Sequence, residues 1–387
     1  MKTPVNYRFY PDSSERSIKF IKLIDRITYF FKSQNDHRFK CDEKEEITLV
    51  QLAHIGDMIL MLPAIKALKI MTGAKISLAV SSGNFKIATK VPFIDAVYVA
   101  DAPYFSRDKK ISYLKFLDQL RRIKTGILFD VRGDLRNNLF LKLFAKKKIF
   151  AGYNVGGGGA LLDAELPYVH RGHVSKRINP LFNYLNLPDP VFSEYWEPND
   201  LPCDPIEGVT LPEKFVLVHL GTGAQARKWP VQNFIQVIKG IALYFPVYVM
   251  GVEADLSPDE MTEISLLNNV TNGVGKFSML QSISIVKKCT LFLGLDSGFS
   301  HIAALLYRKI VLIFSGTVNV DEWKPISLYK DQVIIIKETV DCDFTTGCGK
   351  LKCSHNICMT RISPHRVSEA VLRNVHEALA INKSEIN

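Results

Sequence analysis

No apolar run in this chain of 387 residues approaches the ~20 residues that a helix needs to cross a bilayer. The opening stretch, MKTPVNYRFYPDSSERS, also lacks the apolar core of a secretion signal, so the expected location is the cytoplasm. Cysteine is sparse: seven residues, an odd number with no C-x-x-C pair, which fits a reducing compartment better than a disulfide scaffold. The G-x-x-x-x-G-K-[ST] spacing of a P-loop is missing, and so is the G-x-S-x-G elbow of a serine hydrolase. What remains is a chain with 47% hydrophobic and 23% charged residues. That composition belongs to an enzyme-sized globular protein, and the length calls for two domains.

The formal net charge is +10 and is unevenly placed. Residues 107–148 hold thirteen Lys and Arg against four Asp, a net of +9. An excess of this kind suits an anionic partner: nucleic acid, anionic lipid or a phosphorylated sugar. Solvated helix faces account for some of it.

Alternating strand-like and helix-like patterns run through most of the chain. Residues 1–46 form an extension in which Ile18, Ile21, Ile24, Ile27 and Phe31 recur at helical spacing among Arg16, Lys19, Lys22, Arg26 and Lys32. Such a helix either lies on an anionic membrane surface or packs on the folded body. Strands are expected at 47–52, 75–80, 96–99 and 126–130, with helices from 58 to about 71 (Pro63 near its first turn), 114–123 and 173–185. Residues 156–159, four glycines, read as a flexible loop beside a binding cleft. Proline-rich residues 196–212 are the expected linker between a first domain, 47–195, and a second, 213–362. Strands at 215–219, 247–250, 291–293, 310–314 and 332–336 belong to that second domain. Residues 363–387 supply a last helix, opened by Ser363 and Pro364.

The candidate site residues stand where strands hand over to helices, the ligand-binding edge of a doubly wound sheet. Asp57 follows the first strand and is either a helix cap or a general base. Arg132 and Arg136 follow the 126–130 strand and suit a phosphate or carboxylate. Thr222 and Lys228 follow the 215–219 strand, where backbone donors and a cation fit a diphosphate. Glu253 stands past the 247–250 strand, placed for a ribose. Asp296, Ser297 and Gly298 open a helix with His301 one turn in, and a helix N-terminus favours phosphate. Cys342, Cys348, Cys353 and Cys358, with His355 among them, make a weak case for a structural metal against reduced thiols in a packed loop.

Three separated segments then agree. ITLVQLAHIGDMILMLPAIKALK (47–69), VHLGTGAQARKWPVQNF (218–234) and GLDSGFSHIAALLYRKIVLIFSGT (294–317) resemble, in that order, the signatures of glycosyltransferase family 9, the lipopolysaccharide heptosyltransferases. Two departures stand out: Ala53-His54 replaces a usual small polar pair, and the loop before Lys228 has no acidic residue. The resemblance implies an α/β protein of GT-B type, two facing Rossmann-like domains with a cleft between them and the last helix crossing back to the first. It implies Asp57 as catalytic base and Lys228 at the donor diphosphate. Thr222, Glu253, Asp296, Ser297, Gly298 and His301 would hold the nucleotide sugar, and Arg132 and Arg136 the acceptor. The implied reaction is inverting transfer of heptose from ADP-heptose to a lipopolysaccharide core hydroxyl. It needs no cofactor or metal and no nucleic acid, with peripheral contact at the inner-membrane surface. Another nucleotide-sugar transferase or epimerase, or an anion- or nucleic-acid-binding protein without catalysis, are the competing readings.

Overall fold

A computed structural model of the protein describes residues 15–30, 45–105, 111–169, 172–342, 348, 353 and 355–384. The chain divides into two compact units, Met1–Trp196 and Glu197–Asn387. In the first, helix α1 (Glu15–Phe30) precedes β1 (Glu46–Gln51), α2 (Ile55–Thr72), β2 (Lys75–Val80), α3 (Ser82–Ala88) and β3 (Ala96–Val99). Then come α4 (Tyr113–Arg121), β4 (Lys124–Asp130), α5 (Leu135–Phe144), β5 (Lys146–Tyr153), β6 (Ala164–Leu166), α6 (Asn179–Tyr184) and α7 (Phe192–Tyr195). The second unit opens with β7 (Val216–His219), α8 (Val231–Ala242), β8 (Val247–Met250), α9 (Pro258–Ser265), β9 (Val270–Asn272) and α10 (Met279–Lys288). It continues with β10 (Leu291–Leu295), α11 (Gly298–Leu305), β11 (Lys309–Ile313), α12 (Val320–Trp323), β12 (Val333–Ile336), α13 (Ile357–Thr360) and α14 (Pro364–Ser384).

Each unit holds a six-stranded sheet, ordered β3-β2-β1-β4-β5-β6 in the first and β12-β11-β10-β7-β8-β9 in the second. All pairings are parallel. Central strands read as unbroken apolar runs because helices cover both faces: Ile47, Leu49 and Val50 of β1 and Leu291 to Leu293 of β10 are buried. Strand order reverses between β1 and β4 in one sheet and between β7 and β10 in the other. At such a reversal the neighbouring loops part and leave a crevice at the carboxyl ends. Two Rossmann-like units of this kind place the chain in the α/β, GT-B class that the sequence predicts.

Some local expectations change. Helix α2 begins at Ile55, so Pro63 lies in its interior and not near its first turn; it has no N–H to offer the carbonyl of Ile59. The four glycines are buried and not a flexible loop. Asn138 Nδ2 donates to the carbonyls of Tyr153 and Gly157, and Asp25 Oδ1 accepts from the Gly158 amide. Gly158 holds φ +81°, a conformation strained for any residue with a side chain, and a Cβ there would also press to 2.8 Å from Leu135 Cδ1. The expected linker is also structured in part: Trp196 is buried with its ring edge-on to Phe93, and Leu201 is buried. Helix α14 packs Val367, Val371 and Val375 into the core of the second unit, against α8 and β11.

Candidate active site

At the reversal in the first sheet the β1 and β4 loops carry Asp57 and Arg132. Asp57 sits in the first turn of α2, where its Oδ2 accepts the His54 amide at 3.3 Å. It is therefore a cap, but only one oxygen is used among the described hydrogen bonds, and the side chain keeps partial solvent access. Capping fixes the carboxylate without consuming it.

The β4 loop is organised by buried acids. Asp130 accepts from Asn137 Nδ2 at 3.0 Å and the Gly133 amide at 2.9 Å, and Asn137 in turn accepts from the Tyr104 hydroxyl. Burial pushes the Asp130 carboxyl up to about 7, against those two hydrogen bonds. Gly133, at φ +71°, makes the sharp turn that returns the chain to Asp134. Asp134 caps α5 through the Arg136 amide and takes the Arg136 guanidinium in a two-pronged pair at 3.0 and 2.7 Å. Arg136 also lies over the Tyr104 ring, 4.3 Å from its centroid. Arg132 differs: its guanidinium stacks on Phe105 at 4.7 Å, and its buried Nε has no hydrogen-bond partner among the described residues.

The rest of the basic region is directed elsewhere. Lys124, Lys146, Lys147 and Lys148 begin β4 and β5, at the edge opposite the reversal. Lys147 donates to the carbonyls of Leu141, Lys142 and Ala145 at the end of α5, and burial, then Lys142, lowers its ammonium to about 8. Lys142 pairs with Asp163, Lys148 with Glu45 and Arg122 with Asp118. Residues 106–110, which hold Arg107, Lys109 and Lys110, lie outside the described residues.

In the second unit the β7 and β10 loops meet directly. The Thr222 hydroxyl donates to the Asp296 carbonyl at 3.0 Å. Asp296, 4% exposed, pairs with Arg227 at 2.9 Å. Sequence reading missed this pair, since nothing local links residues on separate loops. Lys228, the next residue, makes no described side-chain contact, while its carbonyl accepts from Asn356 Nδ2 at 2.8 Å and anchors the loop. Ser297 precedes α11 with its buried hydroxyl unpartnered among the described residues, Gly298 opens that helix, and His301 is buried within it. Beneath the Gly221-Thr222 turn lies His219, another residue that sequence reading passed over. Its ring packs on Phe299, centroids 4.5 Å apart, and burial lowers its imidazole to about 4. It is thus a neutral aromatic floor at pH 7. Glu253 is exposed in a short 3-10 turn, and it is Asp255 whose Oδ2 stands close to Gly221 and Gly251 while accepting the Val252 amide.

The cysteine-rich tail gathers loosely. Cys358 is buried, and burial raises its thiol, with Cys348, Cys342 and Cys353 near enough to add to the effect. Cys353 Sγ lies 3.6 Å from His355 Nδ1. Among the described residues no group of three His, Cys, Asp or Glu side chains is placed to hold a metal.

A family model, glycosyltransferase family 9 (heptosyltransferase), matches residues 114–352, over half of the chain. The chain belongs to glycosyltransferase family 9. The matched span includes Arg132, Lys228 and Asp296, whereas Asp57 precedes it. Lipopolysaccharide heptosyltransferase 1 of Campylobacter coli is 22% identical over 300 residues, 70% of this chain and 84% of its own length. Lipopolysaccharide heptosyltransferase 3 of Escherichia coli (strain K12) is 23% identical over 286 residues, 70% and 82% of the two chains. Among solved structures, a family 9 glycosyl transferase from Veillonella parvula DSM 2008 superposes with a TM-score of 0.67 at 18% identity, over 88% of this chain and 99% of that one. E. coli heptosyltransferase WaaC with ADP gives 0.62 at 15% identity, over 86% and 99%. These structures share the family 9 fold with the chain. As a member of the family it is a glycosyltransferase.

Proposed function

We propose that the protein is an inverting heptosyltransferase that moves heptose from ADP-heptose to a hydroxyl of a lipopolysaccharide core acceptor, at the cytoplasmic face of a membrane. The observation that carries this reading is positional. Asp57 and Arg132 fall at the reversal of one sheet, and Thr222, Lys228, Asp296 and Ser297 at the reversal of the other. The first unit would receive the acceptor and the second the donor, consistent with family membership and with WaaC having been solved with ADP.

In this scheme Asp57 takes the proton of the acceptor hydroxyl, which attacks the anomeric carbon from the face opposite the nucleotide. The bond to the diphosphate breaks as the new glycosidic bond forms, so configuration inverts. Lys228 and the N-terminus of α11 at Ser297-Gly298 stabilise the charge arriving on the departing diphosphate. Glu253 holds the ribose and His301 supports the donor loop. Arg132 grips an acceptor anion, and Arg136, with its guanidinium committed to Asp134, braces the loop beside it.

Incubation with ADP-heptose and a panel of truncated core acceptors tests the proposal. A heptosylated product with ADP released in equal amount is expected. Transfer from a UDP-sugar and none from ADP-heptose would sink the donor assignment.

A further inference from the structure

Helix α1 is held by one side. Ile21 and Asp25 turn inward, 9% and 2% exposed; Asp25 Oδ1 accepts the Gly158 amide at 2.7 Å, and the Tyr29 hydroxyl accepts from Asn154 Nδ2 at 2.9 Å. These contacts fix the rotation of the helix about its axis. Phe20, Leu23 and Ile27 therefore point outward, 62%, 55% and 52% exposed. One position before each stands an exposed cation: Lys19, Lys22 and Arg26. With ~100° between successive residues, the two triplets form neighbouring stripes, one apolar and one basic, on the outer half of the helix.

Three large apolar side chains in a row on a surface mark a contact face. The basic stripe beside them selects the partner. No described helix is long and apolar enough to cross a membrane, so α1 would lie on a surface. A second copy of the chain, related by a two-fold axis perpendicular to α1, would bring two basic stripes together. An anionic lipid surface satisfies both stripes, taking the apolar side chains at the headgroup–acyl boundary and the cations at lipid phosphates.

We propose that α1 is a membrane-docking element: Phe20, Leu23 and Ile27 enter the interfacial layer of an anionic bilayer while Lys19, Lys22 and Arg26 sit on its phosphates. Asp25 and Tyr29 couple that seat to the glycine turn of the first unit. The inference deepens the transferase reading, whose acceptor is lipid-borne, but docking needs neither donor nor acceptor to be measured.

The test is cosedimentation of the full chain with phosphatidylcholine vesicles, with and without phosphatidylglycerol. Binding is expected to the phosphatidylglycerol vesicles, and it should fall as salt is added. Replacing Lys19, Lys22 and Arg26 by Gln should weaken it roughly fivefold per residue. Phe20→Ser with Leu23→Ser and Ile27→Ser should weaken it at least ~10-fold. Circular dichroism checks folding, and Leu23→Glu alone serves if the triple variant does not fold. Unchanged binding in either set, equal binding to neutral vesicles, or no binding by the parent chain would overturn the proposal. So would a dimer that the serine variant splits, which would assign the stripe to a second copy. Transfer to a soluble acceptor should be unchanged in both sets. Absence of transfer in the parent chain, with vesicle binding kept, would remove the donor and acceptor assignment and leave the docking surface in place.

Discussion

At the carboxyl end of β4 the first unit buries an acid, Asp130; at the carboxyl end of β7 the second buries a base, His219. Both positions border a reversal in strand order, and both groups are driven towards neutrality by the same desolvation, Asp130 up to about 7 and His219 down to about 4. Their surroundings differ. Asp130 is held by Asn137 and Gly133 within a polar network that keeps the Arg132 loop in shape, whereas the His219 ring packs at a tilt of 32° on Phe299 under the Thr222 turn. One sheet order thus supports two kinds of edge. Unit one presents a carboxylate and arginines on a polar frame, suited to a hydroxyl nucleophile bearing anions. Unit two presents hydroxyls, a lysine and a helix start on an apolar floor, suited to a nucleotide diphosphate.

The contrast is most sharply tested by pH. Asp130 has a raised folded pKa, so its contribution is full below about 4 and is lost as pH rises through about 7. His219 has a lowered folded pKa, so its contribution is present above about 6.5 and is lost as pH falls through about 4. The two slopes oppose each other, each worth on the order of 3 kcal/mol over its window. Melting curves from pH 4 to 7 should show Asp130→Asn gaining on the parent as pH rises and His219→Phe gaining as pH falls. Identical trends in both variants would erase the difference between the edges.

Kinetics come next. Asp57→Asn should leave ADP binding nearly intact and lower turnover ~100-fold or more, because amide and carboxylate both accept the His54 amide but only the carboxylate takes a proton. Equal specific activity in a less stable protein would leave Asp57 as a cap alone. Lys228→Ala should weaken donor affinity and turnover together, each by roughly tenfold, since the charge acts on bound and departing diphosphate. Unchanged constants would move the donor away from this loop. The smallest effect is expected at Arg132→Ala: acceptor KM up roughly tenfold, donor KM unmoved. Arg136→Ala is the control, melting earlier because Asp134 is left buried without its cation.

Much of this was legible in the sequence where the signal is local. Apolar runs at β1, β2, β4, β7, β8 and β10 announced themselves, and polar loops after four of them gave Asp57, Arg132, Thr222 and Asp296 as edge residues. Strand β5 did not, because Lys146, Lys147 and Lys148 occupy its start and break the apolar pattern. Edge strands β6 and β9 have three residues each, too few to show a period. The glycine run looked loose because composition reports freedom in the unfolded chain; the seat it forms for Asp25 depends on a helix 133 residues away in sequence. The pairing of Arg227 escaped for the same reason. Its partner Asp296 is brought near only when β7 and β10 pair.

The Thr222 hydroxyl carries a single proton, and in the folded chain that proton is already directed at the Asp296 carbonyl. Only lone pairs are left to face a ligand. An incoming phosphate has no use for lone pairs, so at this position it must be met by main-chain amides, whereas a sugar hydroxyl could donate to the threonine oxygen. The bond across the two loops thereby acts as a filter on polarity: at residue 222 the side chain welcomes donors and leaves acceptors to the backbone.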